Sequence, residues 1–245
     1  MKKAHEVDFQ LYGDDMQFVE IQLDPGESVV AEAGAMMYMS EGIEMETVFG
    51  DGSAADQKKG FMDKMLGAGK RVLAGESLFM TMFTNKAYDK KSLAFAAPYP
   101  GKIIAKDLGD LGGELICQRD AFLCAARGIQ IGIAFQKNIG AGLFGGEGFI
   151  MERLVGDGLV FMHAGGTIIE KELAPGELLK LDTGCLVAMT PTVNYNVEFV
   201  GSVTSAFFGG EGLFLATLRG PGHVWLQSIP FSRFASKIVS AAKKS

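Results

Sequence analysis

Histidine is the scarcest of the chemically versatile residues in this 245-residue chain: only His5, His163 and His223 occur, with no H-x-H or H-E-x-x-H pattern. The metal sets common on β-barrel enzymes therefore have no ligands here, and neither a metal nor a cofactor is expected. Cysteine is as sparse. Cys117, Cys124 and Cys185 are odd in number, lack C-x-x-C spacing and sit among apolar neighbours, which fits buried thiols in a reducing compartment. No cysteine has a histidine near it in sequence and no G-x-S-x-G nucleophile turn occurs, so no catalytic residue is identified. No apolar run approaches the roughly 18 residues that span a bilayer. MKKAHEVDFQ lacks the apolar stretch of a signal peptide, and the expected location is cytoplasmic.

Glycine, in contrast, is plentiful at 33 residues. Gly140-x-Gly142-x-x-Gly145 spells the dinucleotide-binding fingerprint, which works only where a strand turns into a helix whose N-terminus holds the pyrophosphate. Upstream, Ile129, Ile131, Ile133 and Phe135 alternate as a strand. Downstream, only FIMERLV separates Gly148 from the next turn at Gly156-Asp157-Gly158, and that is strand length. The nucleotide reading fails on context.

The glycines belong to a repeat. GGEGFIM at 145 recurs as GGEGLFL at 209 and AGESLFM at 74, giving Glu76, Glu147 and Glu211 as one matched set. A second series, DPGESVV from Asp24, LGGELIC from Leu111 and APGELLK from Ala174, gives Glu27, Glu114 and Glu177 as another. Recurrence with every unit assigns these acids to turn and cross-strand hydrogen bonding. Eight residues after the glycine stand Gly34, Ala121 and Gly184, and GKIIAKDL from Gly101 matches GTIIEKEL from Gly166. The two Gly-Glu pairs lie 33 residues apart in the second copy and 34 in the third, but 49 in the first. An insertion near residues 50–74 accounts for the difference.

Each copy reads as β. Val19, Ile21 and Leu23 alternate with polar residues, and Pro25-Gly26 and Pro175-Gly176 suit type II turns. The expected fold is all-β, one repeat-built domain: repeat one over 9–100 with its insertion, repeat two over 101–165, repeat three over 166–230, and a C-terminal helix over 231–245. Aligning the copies puts Gln227 opposite His163 and Leu159 opposite His223, so neither histidine belongs to the repeat; both read as surface or structural residues.

Charge is distributed unevenly. Lys58 to Leu73 carries +4, Phe231 to Ser245 carries +4, and the total of −6 leaves −14 on the β-rich body, which disfavours nucleic acid. Both basic segments have helical apolar spacing: they either pack on the body with their lysines outward, or dock on anionic lipid or a protein partner. In the insertion, Phe61, Met62, Met65 and Leu66 are interleaved with Lys58, Lys59, Lys64, Lys70 and Arg71, and this set is the candidate binding surface.

DPGESVVAEAGAMMYM, AGESLFM after a lysine-rich insert, GGEGFIM and PTVNYNVEF occur in that order between about Phe9 and Phe234. Together they resemble the altered-inheritance-of-mitochondria protein 24 family. That resemblance implies a fold similar to the tryptophan RNA-binding attenuator: a short double-stranded β-helix or sandwich unit present three times per chain and associating in a ring. It implies no enzymatic activity and carries no catalytic residues. The attenuator's RNA binding does not transfer, because no Lys/Arg set recurs at equivalent positions of the copies.

Three edge-bearing units leave unpaired strands at both ends, which predicts a homo-oligomer, a trimer being the simplest. The expectation is thus a non-enzymatic oligomeric scaffold or binding protein; the competing reading is a small-ligand or catalytic module using the clefts between repeats. Deleting Gly50 to Gly69 should leave a folded protein that no longer co-sediments with anionic vesicles at low salt. Binding that survives the deletion would remove the segment from consideration.

Overall fold

The computed structural model describes residues 3–49, 79–97, 99–137, 149–199 and 214–242. The insertion residues Lys58 to Arg71, the glycines Gly140 to Gly145 and the acids Glu76, Glu147 and Glu211 lie outside them.

Alternation sets the fold. In β2 (Phe18–Leu23) Val19, Ile21 and Leu23 are fully buried, while the residues between them are half-buried. β1 (Asp8–Tyr12) pairs along β2. The first repeat continues with β3 (Ser28–Glu32), β4 (Met36–Met39), β5 (Ile43–Phe49), β6 (Phe79–Asn85) and β7 (Lys91–Ala96). The second contains β8 (Lys102–Asp107), β9 (Glu114–Gln118), β10 (Phe122–Ala126), β11 (Gln130–Lys137), β12 (Phe149–Val155) and β13 (Leu159–Ala164). The third contains β14 (Ile168–Leu173), β15 (Leu178–Asp182), β16 (Leu186–Met189), β17 (Asn194–Phe199), β18 (Phe214–Arg219) and β19 (Gly222–Gln227), and helix α1 (Phe231–Ala242) ends the described chain. The described residues are all-β apart from this helix and short 3-10 turns. FIMERLV is a strand, as its length required.

Every repeat splits between two sheets. Leaving aside β1, which adds to the edge of β2, the second, fifth and fourth strands of each repeat form one trio and the first, sixth and third form the other. The sheet orders are β1-β2-β7-β4, β5-β6-β3-β10-β13-β8, β11-β12-β9-β16-β19-β14 and β15-β18-β17. Each six-stranded sheet therefore joins a trio from one repeat to a trio from the next. The joins are β3 with β10 (Ala31↔Cys124, Val30↔Ala125, Val29↔Ala126) and β9 with β16 (Cys117↔Ala188, Ile116↔Met189).

Packing turns these sheets into layers. Val29, Ala31, Cys124 and Phe161 of the first six-stranded sheet cluster with Val19, Ile21, Leu93 and Phe95 of the four-stranded sheet. Val30, Ala125 and Val160, from the opposite face, cluster with Leu115, Cys117, Val187 and Trp225 of the next sheet. Phe149, Met151, Leu186 and Val224 then cover Leu218 and its neighbours in the last sheet. With both faces covered, the middle strands read as near-continuous apolar runs, as in β10, where all five residues are buried.

Register corrects two sequence equivalences. Ala31 and Cys117 hold matching seam positions, so Glu32 corresponds to Gln118 and Asp182, and Gly34 to Asp120 and Gly184. Ala121 falls one place later. The cause is the second turn, where β9 begins at Glu114, directly after Gly113, whereas β3 and β15 begin one residue after their Gly-Glu pair. The glutamate set divides accordingly. Glu27 and Glu177 accept at 2.8 Å from the backbone N–H of Asp24 and Ala174 across their turns, whereas Glu114 lies in a strand and takes both guanidinium arms of Arg153 at 2.7 Å. Gly26 and Gly176 have φ of 85° and 80°, as the third position of a type II turn demands.

Gly184 is constrained by space. A Cβ there would lie 3.1 Å from Cβ of Pro230, whereas Gly34 has no such neighbour but a φ of +88°. Gly184→Val should therefore cost roughly 1–3 kcal/mol through overpacking, read by urea denaturation; an unchanged midpoint would show that Pro230 yields without cost.

Candidate functional site

The seam between the first two repeats gathers ionisable side chains around a cavity. Glu32 closes β3, and the chain then turns through Ala33 and Gly34 into β4. From the second repeat come Asp120, in the 3-10 turn Arg119–Ala121 before β10, and His163 on β13. Tyr99, in the linker between repeats, and Phe231, the first residue of α1, complete the wall. The cavity, open to solvent on one side, has a volume of about 290 Å³.

Burial dominates the electrostatics. Desolvation raises the Glu32 carboxyl to about 7, with Asp120 adding to the rise and Arg119 opposing it. Glu152, on β12 opposite Cys117, is 1% exposed and rises to about 8 through desolvation, then Glu32 and Asp120, again against Arg119. Its Oε2 has no hydrogen-bond partner among the described residues. Burial lowers the His163 imidazole to about 4, so the ring is neutral near pH 7, and its Nδ1 is also without a partner among the described residues. Tyr99 stands edge-on to His163 with centroids 4.5 Å apart, meets the Phe231 ring at 4.9 Å, and donates from its hydroxyl to the Asp120 carbonyl at 3.4 Å. Burial, then Asp120 and Glu32, push its phenol up to about 12.

The second seam shows what the same corner looks like when closed. Gln118 stands where Glu32 does, and Gln227 where His163 does. The Gln227 Nε2 donates to the Gly184 carbonyl and its Oε1 accepts from the Gly165 N–H, both at 2.8 Å, while Pro230 packs on Gly184. Neutral amides thus satisfy the corner that acids and an imidazole leave open at the first seam.

Chemically, the first seam can hold and exchange protons near neutral pH and can attract a cation. Nucleophilic thiol chemistry is not favoured: desolvation pushes the Cys117 and Cys124 thiols well up, with Glu152 and Glu32 adding to it at Cys117. Cys185 is only half-buried, against the expectation of a buried thiol. Among the described residues no set of three or more His, Cys, Asp or Glu is arranged to hold a metal. The other histidines have local duties. His5 Nδ1 accepts from the Ser28 N–H at 2.9 Å, and His223 stacks beside Trp225, 3.5 Å from Glu170.

The insertion residues named from sequence, Lys58 to Arg71, lie outside the described residues, and the described wall of this cavity is drawn from elsewhere in the chain. Glu32, Asp120 and Glu152 escaped notice because their neighbourhood is assembled by the seam. One signal was present: alternation in FIMERLV puts Glu152 on the face of Ile150 and Leu154, an acid on an apolar face.

A carboxyl raised in the folded chain keeps a proton that the unfolded chain releases, so its contribution is complete below its ordinary pKa and is lost as pH rises to the folded value. His163, being lowered, acts the other way and only below its ordinary 6.5. The window from 6.5 to about 8 therefore belongs to Glu32 and Glu152. Unfolding free energy should fall across it by on the order of 1–2 kcal/mol, and Glu152→Gln should remove most of that slope. An equal slope in the variant would show that Glu152 is ionised in the folded chain.

Comparison with known proteins agrees with the repeat and its strands. The profile of the family described as mitochondrial biogenesis AIM24 matches residues 9–229. An uncharacterized protein of Streptococcus pyogenes serotype M6 is 32% identical over 229 residues, which cover 91% of this chain and 86% of that protein. A structural-genomics crystal structure of a Streptococcus pyogenes protein superposes with a TM-score of 0.76 at 26% identity, over 96% of this chain and 100% of the other. With the match running through all three repeats, the chain belongs to the mitochondrial biogenesis AIM24 family.

Proposed function

We propose that this protein is a non-enzymatic, cytoplasmic β-rich scaffold that assembles by pairing the edges of its outer repeats. The observation that carries this reading is the unfinished seam. β4 and β15 are the counterparts of the strands joined in the interior, yet among the described residues each is the edge of its sheet. Met37, Tyr38 and Met39 on β4 are 56%, 39% and 37% exposed, and Leu178 on β15 is 51% exposed. Repeating the interior register between two chains sets Tyr38 against Leu181 and Met39 against Lys180. Such a contact is head-to-tail, and rotation closes it into a ring, with a homotrimer the simplest form. Unpaired edges are otherwise a hazard for uncontrolled association.

Light scattering at micromolar concentration should give a multiple of the single-chain mass, against one chain if the edges stay open. Met39→Lys, which opposes two lysines, should shift the protein toward single chains, whereas Met39→Glu should keep the assembly. Equal behaviour of the two variants would contradict the register.

A second reading, contact with an anionic membrane surface, is favoured by α1. The helix follows Pro230 as the sequence suggested, but none of its residues is buried: Phe234, Ile238 and Val239 are 38%, 54% and 51% exposed. Arg233 pairs with Asp182 at 2.9 Å, and Lys237 and the sequence beyond add further positive charge. No described helix is long and apolar enough to cross a membrane, so any contact through α1 would be peripheral. Ile238→Glu with Val239→Glu should abolish co-sedimentation with phosphatidylglycerol vesicles; retention would exclude α1 as the contact.

A further inference from the structure

We propose that residues Lys3 to Val7 form a strap that fastens the first seam near neutral pH and releases it on acidification, with the His5 imidazole as its catch. The device lies within one chain and goes beyond assembly.

The strap wraps the end of the first six-stranded sheet. Ala4 is buried in the cluster on one face of that sheet, with Val30, Ala125 and Val160, and Val7 is buried in the cluster on the other, with Val29, Ala31 and Phe161. The two carboxylate oxygens of Asp157 accept from the N–H groups of Lys3 and Ala4 at 2.8 and 2.9 Å. His5 then holds both strands of the seam at once. Its N–H donates to the Arg127 carbonyl just past β10, and its Nδ1 accepts from the Ser28 N–H that opens β3, each at 2.9 Å.

The second repeat is shaped to receive this strap, and the third is not. By register Asp157 corresponds to Pro221, Ala126 to Thr190 and Gly128 to Thr192. In the third repeat the turn fills itself, since a Cβ on Gly222 would run into the side chains of Thr190, Thr192 and Val193. The counterpart of Gly222 is Gly158, where a Cβ would run into Ala4, and a Cβ on Gly128 would lie 2.8 Å from the Ala4 Cα. Smaller side chains thus leave a seat that Ala4 occupies, and Asp157 brings the carboxylate that Pro221 lacks.

Only a neutral ring can act as the catch. Imidazolium donates from both nitrogens, so protonation sets an N–H against the Ser28 N–H. Burial, then the Arg127 guanidinium, hold the His5 pKa below its ordinary 6.5. The remaining neighbours give the cation a place to turn. Glu6, Asp8 and Asp107 line the cavity beside the ring; Asp8 is paired with Lys90 at 2.6 Å, and Asp157 is engaged by the strap that starts at the exposed Lys3. Behind Ser28 stands a neutral pair, its hydroxyl and that of Thr84 at 2.9 Å. Because the closed form disfavours the proton, the strap is fully fastened above pH 6.5. As pH falls from there toward the lowered value, the opening constant rises by up to about tenfold per pH unit.

Nitrogen-15 relaxation of the full-length protein, with the His5 ring nitrogens followed from about pH 7.5 to about pH 5, tests the strap. The Ala4, His5 and Glu6 amides should be as rigid as those of β2 at the upper end and lose that order in step with protonation of the ring, while β2 stays rigid. His5→Gln keeps an acceptor that does not titrate and should hold the strap ordered throughout. His5→Ala, which has no acceptor, should leave it loose at every pH. A strap that stays ordered once the ring is protonated, release of the His5→Gln strap at the same midpoint, order retained in His5→Ala, or loss of order in β2 together with the strap would each overturn the proposal.

Discussion

Backbone pairing across the repeat seams is the constraint on which the rest of the structure depends. A repeat places one trio of strands in each of two sheets, and neither trio finishes a sheet until a neighbouring repeat supplies the other. The seam strands lie in mid-sheet with layers on both sides, which is why small residues dominate their contact: Ala31 faces Cys124, and Cys117 faces Ala188. Large side chains then fill the spaces between layers, with Phe83 and Phe95 edge-on at 5.3 Å and Trp225 donating its indole N–H to Glu170 at 2.8 Å. On the proposed assembly, stability and association would draw on the same interaction, since what joins repeats within the chain is the kind of pairing proposed for its two outer strands.

The two interior seams differ in the chemistry of one corner. Glu32 and His163 at the first occupy the positions of Gln118 and Gln227 at the second. An amide can donate and accept without a change of charge, so Gln227 locks its corner. An acid and an imidazole in the same place pay a desolvation cost, seen as the rise of Glu32 and the fall of His163. The amide arrangement of the second seam is enough to close the corner. The first seam is accordingly a local departure from the protein's own repeat.

Much of the fold was legible because repetition and alternation are sequence properties. Val19, Ile21 and Leu23 announced a half-buried strand, the proline-glycine pairs announced turns, and Phe231 to Ala242 announced a helix after Pro230. Register was harder. A longer connection before β9, residues 108–113 against 24–27 and 174–177, ends with the strand starting directly after Gly113; this displaced Ala121 from Gly34 and Gly184, which counting from the glycines could not detect. The site was mostly hidden, because Glu32, Asp120 and His163 are more than eighty positions apart at their first step and meet only through strand pairing. Even so, the alignment of His163 with Gln227 pointed to the corner where the repeats diverge.

Amide hydrogen exchange on the assembled protein tests the seam most directly. If the outer edges pair as the interior ones do, amides of Met36–Met39 and Leu178–Asp182 should gain protection with rising protein concentration, approaching that of Phe122–Ala126. Rapid, concentration-independent exchange at both outer strands, with the interior seams protected, would contradict assembly through these edges.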